Sequence, residues 1–350
     1  MNRIRFAEGG WVLVLALLVM LALAAWALAP AVLRVVDRPL GDGQDPASYK
    51  FDLSQLTLPD TAPLQVALLH RDMVPHRTAI PGVMSAEDAS KEASRKGPFL
   101  TTDDLVIGVT MNGKARAYPL LLLNVHEAMG DMFDDVPLVV TWHWPSGVTA
   151  VYDRRIDGLA RDFGVSGLVA GGGQLLFPIN TDGSVGGEPL IAQFTGTQVT
   201  GPQAADAPIT LTPIAHDFTT WGQWREAHPE TDVVAGDPLM KRRYKDGKPD
   251  TYFHSSGLLF DVPVPDDGPA AKSAAVVIEA DGHAQCVTAD DVRHHGGQLQ
   301  LSVGDSGPTT IELTDGGRRL VINAAEGVTL RRGLWHVVHA FGPWESRLKR

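Results

Sequence analysis

The chain has 350 residues, 44% hydrophobic and 20% charged, with a formal net charge of −11 and one cysteine. That length suits roughly two domains. The acidic balance leaves no basic footprint for a phosphate backbone, so nucleic acid is not an expected partner. Cys286 alone excludes an intramolecular disulfide and a cysteine-built zinc cage.

From Gly9 to Leu33 there is no charged residue, and WVLVLALLVMLALAAWALAPAVL is long enough to span a bilayer. The expectation is a cytoplasmic tail at 1–10, a transmembrane anchor at 11–33 and a Pro-, Asp- and Gly-rich linker at 34–65. A cleaved signal peptide is the alternative, with small residues at Ala22-Leu23-Ala24 and Ala27-Leu28-Ala29. Arg3 and Arg5 precede the span while Arg34 and Arg38 follow it, so charge orients it weakly. A short tail before a large acidic domain favours the domain outside. The expected location is therefore the cytoplasmic membrane, single-pass, with the domain periplasmic or extracellular.

Val106–Met111 and Lys114–Tyr118 read as strands around Asn112-Gly113, a strong hairpin signal because both turn residues take positive φ. Pro119 then opens a helix expected over Leu120–Met129, with Gly130 as its left-handed cap. Strands are expected at Val136–Trp142, Val148–Tyr152 and Leu175–Ile179. Thr220-Trp221-Gly222-Gln223 has the form of a capping box and starts a short helix through Ala227. After a proline-rich stretch, Val276–Ala280 and His283–Val287 flank Asp281-Gly282 as a second hairpin. Strands at Leu299–Val303, Thr309–Leu313 and Arg319–Ile322 and a helix at Leu334–Ala340 follow. The fold expected is α+β: a domain rich in antiparallel strands with few short helices, preceded by one transmembrane helix. Its core spans 66–235, and a second β-rich part spans 236–350, with the option of a degenerate repeat.

Chemistry centres on His126-Glu127 at the end of the expected helix and on His143 in Trp142-His143-Trp144-Pro145-Ser146-Gly147. Two imidazoles and a carboxylate suit Zn, Cu or Fe. The spacing is not an established ligand motif, and on spacing alone capping of helix carbonyls by His126, with His143 packed between tryptophans, is the reading favoured over a metal site. His216 is a weaker fourth ligand candidate. Ser146 and Ser166 are conceivable nucleophiles, but Gly164-Val165-Ser166-Gly167 falls one residue short of a nucleophile elbow. His336 and His339 are spaced to share a helix face, for packing or for ligation. Trp221 and Trp224 are expected to bury one face of their helix.

The chain resembles the bacterial family catalogued as domain of unknown function 3179 over residues 66–344. Its landmarks are Arg71-Asp72-Met73-Val74-Pro75, Asn112-Gly113, Ala117-Tyr118-Pro119, His126-Glu127, Phe163-Gly164-Val165-Ser166-Gly167-Leu168, Gly201-Pro202, Trp221 with Trp224, and Trp335. The resemblance implies a paired-cysteine motif of the form C-P-L-C-G where this chain has His143-Trp144-Pro145-Ser146-Gly147. In the family, that pair near a His-Glu suggests a soft-metal or thiol redox site. Here thiol chemistry is excluded at those positions, and imidazole in place of thiolate shifts preference towards Zn, Cu(II), Ni or Fe. The leading expectation is a membrane-anchored, transition-metal-binding domain with candidate ligands His126, Glu127, His143 and His216. The other expectation is a non-catalytic accessory subunit of a membrane complex.

Overall fold

The computed structural model describes residues 10–36, 39–71, 73–91, 99–246, 250–314 and 319–344. The expected tail before residue 10 and the basic C-terminal end lie outside these residues. Gly10–Val36 forms a 27-residue helix within a first unit, Met1–Leu40. Among the described residues no helix is long and apolar enough to cross a membrane. Gly41–Arg350 is the second unit.

This second unit is sheet-rich and mostly antiparallel, with few short helices. Its central layer is a six-stranded sheet ordered His283–Thr288, Ala274–Ala280, Thr329–Leu334, Val148–Asp153, Val136–His143, Ala128–Phe133. Strands from both sides of residue 236 thus share one ladder. Every residue from Pro137 to His143 is buried, because this sheet is covered on both faces. On one face Val139, Ala150 and Tyr152 pack with Phe163, Val165, Leu176 and Ile191 of a four-stranded sheet. On the other, Leu138, Val140, Trp142 and Val151 pack with Ile107, Tyr118 and the helix residues Leu120, Leu122 and Leu123. Further along the sheet, Val276, Ile278 and Val287 pack with Val292, Leu299 and Ile311.

Both expected hairpin turns form, with φ of 49° and 78° at Asn112-Gly113 and 51° and 77° at Asp281-Gly282. The helix after Pro119 is shorter than expected. It covers Leu120–His126 and is closed by Glu127, whose φ of 54° is left-handed and whose N–H bonds the Leu123 carbonyl at 2.8 Å. Gly130 is not a cap. It lies in the strand Ala128–Phe133, which pairs with Val136–His143 through a turn at Asp134-Asp135 (φ 49° and 63°). Non-glycine residues at positive φ are uncommon, so this reversal carried no glycine signal. A strand at Thr329–Leu334 was also not expected; the final helix then runs over Trp335–Ala340.

The linker differs as well. Tyr49, Phe51 and Ala62 are buried, and Leu64–Val66 pairs with Phe163–Ala170. Arg71 and Glu188 form a buried ion pair at 3.0 Å, with the guanidinium 4.2 Å from the Phe51 ring centroid and 4.3 Å from that of Phe177. The aromatic faces and the carboxylate together compensate a charge that burial alone would expel.

Gly130 is needed for close approach. A Cβ there would stand 2.2 Å from the Thr78 carbonyl oxygen, and the Gly130 N–H bonds Arg77 O at 2.7 Å. Backbone cannot yield as a side chain tip can, so Gly130→Ala is expected to cost about 2–3 kcal/mol. Urea denaturation of the variant checks this, and an unchanged midpoint would refute the contact.

Candidate functional site

His126 and Glu127 are neighbours in sequence but turn apart at the helix end. His126 Nδ1 bonds the Pro75 carbonyl at 2.6 Å, which fixes the proton on Nδ1, since a carbonyl only accepts. Its Nε2 then accepts from the Tyr244 hydroxyl at 2.8 Å, and that hydroxyl accepts from the Asp237 N–H at 3.1 Å. Both ring nitrogens of His126 are thereby used. The residue clasps the helix end to the Pro75 loop and to the helix Lys241–Asp246, and its ring bonds no carbonyl of its own helix.

Glu127 turns to the face of the central sheet that meets the four-stranded sheet. Its carboxyl accepts from Gln174 Nε2. Gln174 is the first residue after the turn Gly171-Gly172 and Gly173, and its carbonyl accepts the Gln193 N–H at 3.0 Å. The Gln193 amide donates to Thr141 Oγ1 at 2.9 Å and to the Val148 carbonyl at 3.3 Å. Thr141 and His143 lie two apart on one strand and so share a face. His143 Nδ1 lies 2.8 Å from Ser146 Oγ, and its ring stacks on Phe260 with centroids 6.3 Å apart. His336, from the final helix, stands close enough to disfavour protonation of His143. The ring closes at Gly172, where a Cβ would be 3.0 Å from His336 Nε2, so the turn brings bare backbone against the imidazole.

The cluster consists of the buried polar groups Thr141, His143, Ser146, Gln174, Gln193 and His336, with the half-buried Glu127 at its edge. Burial first, and then His336, pushes the His143 pKa down to about 3; burial likewise pushes His336 to about 4. Burial pushes Glu127 up to about 8, against a smaller opposing effect of the Gln174 hydrogen bond. At neutral pH the cluster is uncharged. His336 Nδ1 bonds the Ala271 carbonyl at 3.0 Å, so its Nε2 carries the lone pair. Ser146 Oγ lies 3.2 Å from the His143 carbonyl and 2.8 Å from His143 Nδ1; with the hydroxyl proton given to the carbonyl, Nδ1 donates to Oγ and Nε2 carries the lone pair. Gln174 Oε1 and Gln193 Oε1 are buried acceptors with no donor among the described residues.

The structure therefore brings His143 together with His336, whereas His126 is committed elsewhere. His216 is also engaged, by Ile214 O at 3.1 Å and Thr149 Oγ1 at 3.2 Å. Among the described residues no three His, Cys, Asp or Glu side chains are placed to hold a metal ion; the histidine cluster offers two imidazoles and amide oxygens. Ser166 holds a strand irregularity by bonding Leu175 O at 2.6 Å and accepting from the Leu168 N–H at 3.0 Å. Ser146 is fully buried, which keeps substrate from its hydroxyl. Trp221 and Trp224 are buried, as expected for one face of their helix. Gln174 and Gln193 were not foreseen, although each interrupts an apolar run, in GGGQLLF and LIAQF. A polar residue inside such a run is a signal of a buried network.

Residues 77–334 match the sequence model of a family described as a protein of unknown function (DUF3179). No curated protein and no solved structure matches the chain.

The Glu127 pKa rises from 4.5 to about 8 on folding, so between these values the folded state holds the extra proton. Stability from this group is fully present below pH 4.5 and is lost as pH rises through 8. The histidines act oppositely: with folded pKa values below 6.5, their contribution is present above 6.5 and lost as pH falls. Glu127→Gln stays neutral throughout. It is expected to match the wild type at pH 5 and to exceed it at pH 9 by on the order of 3 kcal/mol. Urea midpoints of both proteins at pH 5, 7 and 9 measure this; a difference independent of pH would show that the carboxyl is not buried in its neutral form.

Proposed function

This chain belongs to the DUF3179 family, and we propose that it is a membrane-anchored domain that binds a transition-metal ion through His143 and His336. The observation that carries the reading is the pairing of two buried, neutral imidazoles, each with Nδ1 tied by a hydrogen bond and Nε2 left as a lone pair. An Nδ1–H bonded to a carbonyl or hydroxyl is the arrangement that orients a ligating imidazole. The undonated oxygens of Gln174 and Gln193 are further hard donors within the same network. Nitrogen with oxygen donors and no thiolate favours Zn, Cu or Fe over softer preferences. Such an ion would supply Lewis acidity or electron transfer according to its identity.

Glu127 is read here as a positioning group, holding Gln174 by its carboxyl, rather than as a ligand. His126 is read as structural. Support for the anchor is the uncharged run from Gly9 to Leu33 and the helical state of Gly10–Val36. The domain is then extracytoplasmic, with the membrane as its partner.

Elemental analysis of the full-length, detergent-solubilised chain after loading with Zn, Cu or Fe tests the reading. The expected result is stoichiometric metal, retained in Tyr244→Phe and weakened about 10–100-fold or more in His143→Ala or His336→Ala. Metal that is substoichiometric in the wild type, or equally retained in both histidine variants, would overturn it. A stoichiometric co-purifying membrane protein in metal-poor preparations would favour the accessory-subunit reading instead.

A further inference from the structure

A cavity of about 510 Å³ lies beside the strand Val148–Asp153, on the side reached by Thr149. Thr149 stands directly opposite Arg332 in the sheet, so both side chains leave the same face. Both line the cavity, with Arg331, Asp217, His216 and Asn323 among the other polar groups and Ile322 and Leu330 among the apolar ones.

Arg332 is only 8% exposed. Among the described residues its one hydrogen bond runs from Nη1 to the His216 carbonyl at 3.1 Å, and its Nε has no partner. It makes no ion pair among them. Its neighbour Arg331 shows what a compensated guanidinium looks like in this fold. Arg331 Nε meets both Glu279 carboxylate oxygens at 3.0 Å, and Nη1 donates to the Phe194 and Thr195 carbonyls at 3.2 and 2.8 Å. Burial pushes the Arg332 pKa down to about 10, only partly offset by Asp217, so the group is still charged at neutral pH. His216 adds no charge, since burial pushes it to about 4. A buried cation left unpaired is strongly unfavourable unless something else supplies the counter-charge.

We propose that this cavity binds a small organic carboxylate, with its anionic group paired to Arg332 and its apolar body against Ile322 and Leu330. A guanidinium presents a planar fork that fits a carboxylate, and the cavity volume is in the range of small-molecule sites. One cation only partly compensated by Asp217, which also lines the cavity, matches a single negative charge better than the double charge of a phosphate. This site is separate from the histidine cluster and does not depend on the metal reading.

The test is thermal unfolding and calorimetric titration of the full-length chain with sodium benzoate, sodium acetate and inorganic phosphate at constant ionic strength. Benzoate is expected to raise the wild-type midpoint in a saturable way and to outperform phosphate. Arg332→Gln is expected to fold at least as well as the unliganded wild type, because it removes the unpaired charge, and to lose affinity at least about tenfold. Arg332→Lys, which keeps the charge but not the fork, is expected to fall between them and serves if the glutamine variant fails to fold. An equal response of wild type and Arg332 variants, no response to either carboxylate, or a preference for phosphate would each overturn the proposal.

Discussion

A sheet covered on both faces sets the terms for everything else in this molecule. The central strands Val136–His143 and Val148–Asp153 meet the four-stranded sheet on one side and the helix Leu120–His126 on the other. Pro137–His143 and Val148–Tyr152 are buried, so each polar residue placed there needs a partner inside the protein. Thr141 does so through Gln193, and His143 through Ser146. The histidine cluster is the consequence: polar groups sealed between layers, neutral because burial makes charge too costly. The same constraint acts on Arg332, buried on the neighbouring strand Thr329–Leu334, but there the charge is only partly compensated.

The parts readable from sequence were those governed by local rules. Asn112-Gly113 and Asp281-Gly282 announced their hairpins, and Thr220 its helix start, because turns and caps depend on a few adjacent residues. The helix end at Glu127 broke that pattern. A glutamate took the left-handed position where glycine was expected, and the following strand was hidden behind it. Packing of Gly130 against Thr78 explains why the glycine was needed elsewhere. The packing of the 34–65 stretch is hidden for a related reason: Phe51 sits among turn residues, and only its sandwich with Phe177 around Arg71 shows what it buries against.

For the histidine cluster, location was readable but membership was not. The stretch holding His126, Glu127 and His143 does contain its centre, and the family match covers it. Adjacency in sequence nevertheless misled, since a single residue of positive φ sends His126 and Glu127 to different surroundings. The partner of His143 comes instead from the final helix. Such long-range pairing follows from sheet order, and sheet order is set by non-local contacts that no window of sequence displays. The order hairpin, helix, meander occurs in both 105–153 and 274–323, yet the two meanders join different sheets.

The strand Thr329–Leu334, inserted between Ala274–Ala280 and Val148–Asp153, has a bearing on how the molecule comes into being. It joins the early strands to the late ones, and His336 follows directly after it. During synthesis the early strands can pair locally while their outer edge stays open and His143 lacks its neighbour. Only when the closing strand arrives is that edge sealed and the second imidazole delivered. Assembly of the cluster is therefore a late event in the life of the chain, and a truncated product would expose an adhesive strand edge rather than a weakened version of the finished site.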